Sequence, residues 1–149
     1  MNTYRRISCI ALAFLLAATV SAAPDVADIQ GRWLSGDGDG WIDIRIEDET
    51  LNGYIAGSPN DVPGNPSRLD VENPDAALRT RELDGLKFMQ GFRYVEKSNR
   101  WTGGTIYDPN SGKTYKGTLT LVDHNSLKLR GYIGVSLFGR NEVWSRVNP

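Results

Sequence analysis

The chain has 149 residues with 17 basic and 18 acidic side chains, one histidine and one cysteine. A length of this order fits one ordinary domain, and a single cysteine excludes an internal disulfide and a cysteine-based zinc site. With charge near balance and no basic cluster, binding to nucleic acid or to an anionic membrane surface is not expected.

The N-terminus reads as a secretory leader. Arg5 and Arg6 precede an apolar run over residues 7–20, and Val20-Ser21-Ala22 supplies small residues at signal-peptidase spacing. Cleavage after Ala22 is expected, with Sec export, which leaves one domain over residues 23–149. The run is too short to span a bilayer comfortably, and no later segment is long and apolar enough to cross one. Cys9 lies inside the leader, so the exported domain has no thiol. It keeps 15 basic against 18 acidic residues, a net charge of −3. A periplasmic or secreted location follows as the expectation.

The rest of the chain reads as short strands separated by turns. Residues 29–34 form a first strand, and Ser35-Gly36-Asp37-Gly38-Asp39-Gly40 a turn. Residues 41–46 alternate strictly, with Ile42, Ile44 and Ile46 on one face, as in a half-buried strand. A third strand covers residues 51–57. Residues 58–84 break the pattern with four prolines. Within them Asn73 is expected to cap a short helix, with Pro74 in its first position and Asp75 in its first turn. Further strands follow over residues 86–95, 100–107, 114–122, 127–134 and 140–147. The expected fold is all-β, an eight-stranded antiparallel up-and-down barrel with one short helix in a long loop. Eight strands enclose an interior that side chains fill or that holds one small ligand.

The chemistry-bearing residues are few. His124 sits in a polar turn, and neither a catalytic triad nor a phosphate loop is present. The 35–40 turn lacks the ligands of a calcium loop. No catalytic residues, metal or cofactor are therefore expected. Phe88 and Tyr115 are candidates to line an apolar interior. Asn73, Asp75, Arg79 and Arg81 are candidates to place the long loop over the barrel mouth. The two arginines either grip an anionic head, as of a fatty acid, or pair with Asp70 and Asp84.

Gly31-Arg32-Trp33 with the late Arg146 resembles the G-x-W motif and closing arginine of lipocalins. That resemblance implies an arginine stacked on the Trp33 indole at one barrel end. A second resemblance is to a family of small exported bacterial proteins known only as a domain of unknown function. It rests on Gly31-Arg32-Trp33, on Asn73-Pro74-Asp75 with Leu78 and Arg79, and on the run from Trp101 to Pro109 with Gly112 and Tyr115. Leu129-Arg130-Gly131-Tyr132-Ile133-Gly134, Gly139-Arg140 and Trp144 complete it. It implies a lipocalin-like barrel and carries no catalytic residues over. The functional expectation is a binding protein for a small apolar or amphiphilic ligand. The rival is an envelope interaction or structural protein whose barrel is packed solid.

Overall fold

The computed structural model describes residues 25–134 and 139–147. The expected leader, with Cys9, lies outside the described residues, as does most of the connection after Gly134. Eight strands carry the fold: β1 (Gly31–Leu34), β2 (Trp41–Glu47), β3 (Thr50–Ile55), β4 (Lys87–Val95), β5 (Arg100–Asp108), β6 (Lys113–Asp123), β7 (Ser126–Tyr132) and β8 (Arg140–Arg146). Each pairs antiparallel with the next, and β8 returns to β1, so the sheet closes into a barrel without edges.

Period-two alternation becomes the inside and outside of the wall. In β2, Ile42 and Ile44 are buried, while Arg45 is exposed. Asp43 on the outer face accepts from Arg32 Nε at 2.7 Å across the β1–β2 pair.

One half of the barrel is solid. Trp33, Leu51, Phe92, Leu119 and Leu127 have no exposed surface and pack together. Two inward glycines make room for the Phe92 ring. A Cβ at Gly104 would stand 2.3 Å from Phe92 Cδ2, and one at Gly117 would stand 3.0 Å from Phe92 Cζ. The solid half is therefore packed around one large aromatic lying over backbone.

A 3₁₀ turn at Val26–Ile29 covers the solid end. Asp25 accepts from Ala27 N, and Asp28 accepts from Asp25 N, a reciprocal cap. This corrects the expected strand start at residue 29. Ile29 ends the turn, is fully buried, and accepts the Trp33 indole N–H at 2.9 Å.

At the other end, the long β3–β4 loop makes its own small ladder. Leu69 bridges Glu82, Asp70 N donates to Arg81 O at 3.1 Å, and Leu83 N donates to Arg68 O at 2.8 Å. The expected helix is a three-residue 3₁₀ turn, Ala76–Leu78, and its cap is Asp75, not Asn73. Asp75 accepts from Ala77 N, while Asn73 Oδ1 accepts from Asp75 N one step earlier. Asn73 Oδ1 is thus taken by the Asp75 amide while its Nδ2 donates to Asp70 and Tyr107, which leaves the cap to Asp75.

Candidate ligand-binding site

The open half of the barrel is a cup of about 620 Å³, within the range of roughly 300–1,000 Å³ usual for small-molecule sites. Its walls come from the inward positions of the strands: Ile42 and Ile55, Phe88, Ile106, Tyr115, Leu129 and Trp144. Its rim comes from loops and strand ends: Ser35, Asp37 and Asp39 after β1, Arg68 and Leu83 of the long loop, and Arg140 and Glu142 of β8. The solidly packed barrel of the rival reading does not match this geometry.

The rim is ordered by short-range hydrogen bonds. The Ser35 hydroxyl lies 2.6 Å from Asp37 Oδ1 and 3.1 Å from Asp39 Oδ1, and accepts from Gly40 N. The Ser35 hydrogen bond holds Asp37 below the usual carboxylate range. Burial and the bond to Asp37 push Asp39 above it. On β8, residues 140, 142, 144 and 146 share the inward face. The buried Trp144 donates its indole N–H to Glu142 Oε2 at 3.0 Å, which fixes the carboxylate toward the cup.

Behind the wall lies a polar anchor for the long loop. Asp70, with no exposed surface, accepts from Tyr107 Oη at 2.5 Å, from Asn73 Nδ2 at 2.7 Å and from Arg81 Nε at 2.8 Å. Burial alone would raise the Asp70 pKa, but these three donors outweigh it and the net shift is downward. A Cβ at Gly112, whose φ is +65°, would meet Glu72 O at 2.0 Å, so the β5–β6 turn docks closely beneath residues 72–74.

The model of one family matches residues 31–146, which takes in every strand and both ends of the barrel. The chain belongs to that family, described as uncharacterized proteins conserved in bacteria (DUF2147). A solved structure, the lipocalin-family protein HP1028 of Helicobacter pylori, is similar with a TM-score of 0.72 at 20% identity, over 80% of this chain and 83% of that one. A search of curated proteins returned no match. The fold is accordingly that of a lipocalin-like barrel.

Within this family member, the expected site residues separate into two groups. Phe88 and Tyr115 line the cup. Asn73, Asp75, Arg79 and Arg81 do not. Arg81 pairs with Asp70 at 2.7 Å, and Arg79 Nε donates to Asn73 O at 2.8 Å. Both hold the loop together, Arg81 because a buried carboxylate draws the nearest cation to it and Arg79 through a backbone carbonyl. Trp33 and Arg146 lie together at the opposite, solid end, 4.2 Å apart from ring centre to guanidinium carbon. The sequence reading missed Arg68, Arg140, Glu142 and Trp144. The last three carried a signal: once Arg146 is assigned inward, period two assigns the others inward as well.

His124 is exposed, with Nδ1 3.4 Å from Asp28 Oδ2. Among the described residues, no cluster of His, Cys, Asp and Glu is placed to hold a metal ion, and no helix is long and apolar enough to cross a membrane.

Proposed function

We propose that this protein is an exported binding protein that carries a small amphiphile in the barrel cup, in the periplasm or outside the cell. The half-filled barrel supports this reading most directly: a cup of about 620 Å³ with apolar walls beneath a charged rim. An apolar body buried against Ile42, Ile106 and Leu129 gains roughly 25 cal/mol per Å² of covered surface, and the rim groups fix a polar head. The lipocalin-like fold agrees with small-molecule binding as a general role. The leader over residues 1–22 supports export.

The test is titration with N-phenyl-1-naphthylamine, an uncharged apolar dye that brightens in apolar surroundings. Saturable one-to-one binding is expected. Ile55 lines the cup and is only half-buried, so Ile55→Arg should abolish binding while leaving thermal unfolding close to wild type. Dye binding that is unsaturable, or unchanged in Ile55→Arg, overturns the reading.

A further inference from the structure

The charge around the cup points to the kind of head group it takes. Four carboxylates line it, those of Asp37, Asp39, Asp108 and Glu142, against two guanidiniums, those of Arg68 and Arg140. Burial and the bond to Asp37 push Asp39 upward, and Arg68 opposes this shift only through its charge. Asp108 is consumed by its own turn, where it accepts from Asn110 N at 3.0 Å and Ser111 Oγ at 2.6 Å.

Glu142 is different. It sits on an inward position of the wall two residues from Trp144, whose indole N–H occupies one of its oxygens. None of the ion pairs among the described residues involves it. A carboxylate oriented by an indole, in a cup that the rings of Phe88 and Tyr115 also line, offers two attractions to an organic cation. One is the charge itself, presented on an exposed side chain at the rim where an arriving cation meets it first. The other is the negative face of the aromatic rings, which attracts ammonium groups. An anionic head would instead be desolvated among like charges, which disfavours it.

We infer that the cup selects organic cations, molecules with an apolar body and a protonated amine or quaternary ammonium head, with Glu142 as the residue that receives the head. This inference rests on the binding reading above. It replaces the anionic head expected from Arg79 and Arg81, which lie outside the cup.

Three probes with the same chain length test it: decyltrimethylammonium, decanol and decanoate, each below its micellar concentration and followed by tryptophan emission and calorimetry. Decyltrimethylammonium should bind at least tenfold more tightly than decanoate. Glu142→Gln keeps an oxygen for the Trp144 N–H and should cost the cation about tenfold in affinity relative to decanol, about 1.4 kcal/mol. As a second measurement on the wild type, cation affinity should fall with added salt and decanol affinity should not.

Decanoate binding as tightly as the cation overturns the inference. So does an unchanged ratio of cation to decanol affinity in Glu142→Gln, or a salt-independent cation affinity. In those cases saturable decanol binding leaves the binding reading standing. If none of the three probes binds saturably, the binding reading fails and the inference with it.

Discussion

Arg146 on β8 stands directly across the strand pair from Trp33 on β1, with its guanidinium carbon 4.2 Å from the centre of the indole ring. The same guanidinium donates to three backbone carbonyls, those of Asp28, Gln30 and His124. It therefore ties together the first strand, the last strand, the 3₁₀ turn that covers the end, and the β6–β7 turn. The indole beneath it is fully buried and satisfied by Ile29 O.

Trp33→Ala should destabilise the protein by about 3–5 kcal/mol in urea unfolding, as for other buried large-to-small changes. Arg146→Lys should cost about 1–3 kcal/mol, because one ammonium cannot reproduce a planar fork that meets three carbonyls. The two effects should fall short of adding in the double variant, since both act on one contact. Strict additivity would show that the stacking contributes nothing.

The packing around Phe92 depends on glycine for space. A Cβ at Gly117 would stand 2.6 Å from Ile106 Cδ1 and 3.0 Å from Phe92 Cζ. Gly117→Ala is expected to cost about 1–3 kcal/mol through overpacking. Ile106→Val removes the atom in closest conflict, so the double variant should recover part of that loss. Thermal unfolding of the two singles and the double is the measurement.

Much of this architecture was legible because it depends on local alternation. The isoleucines of residues 41–46 and the Tyr115, Gly117, Leu119, Leu121 series identify inward faces without any knowledge of partners. The 3₁₀ turn at Val26–Ile29 was hidden because four residues have no periodicity to detect. Its only trace was Asp25 and Asp28 at capping spacing. The cup rim was hidden for another reason. Asp37, Arg68 and Glu142 come from three distant parts of the chain and meet only because the barrel closes. Arg79 and Arg81 drew attention by their position in a long loop, but the partners that decide their roles, Asn73 O for Arg79 and the buried Asp70 for Arg81, are set by packing that composition does not reveal.

The proposed export makes a separate prediction. Mature protein recovered from an envelope fraction should begin at Ala23, and N-terminal sequencing reads this directly. Material that retains Arg5 and Arg6 would contradict cleavage after Ala22.

The loop anchor should show itself through pH. Burial opposes ionisation of Asp70, but donation from Tyr107, Asn73 and Arg81 outweighs it, and the folded-state pKa lies below the ordinary value. A carboxylate shifted in this direction stabilises the fold above its unfolded pKa of about 3.9, and the contribution is lost as pH falls from there through the folded-state pKa. Asp70→Asn keeps the shape and removes the charge, leaving Arg81 with a neutral partner. At pH 7 this variant should be less stable than wild type, and the difference should shrink as the pH is lowered below about 4. Asp70→Ala removes the acceptor altogether and should cost about 3 kcal/mol or more at pH 7. Hydrogen exchange should locate the damage: amides of residues 70–83 open first in both variants, while β6 and β7 stay protected, because the anchor holds the loop to the wall and the barrel closes without it. If the gap between wild type and Asp70→Asn stays constant from pH 7 to pH 3, the Asp70 charge does not hold the loop.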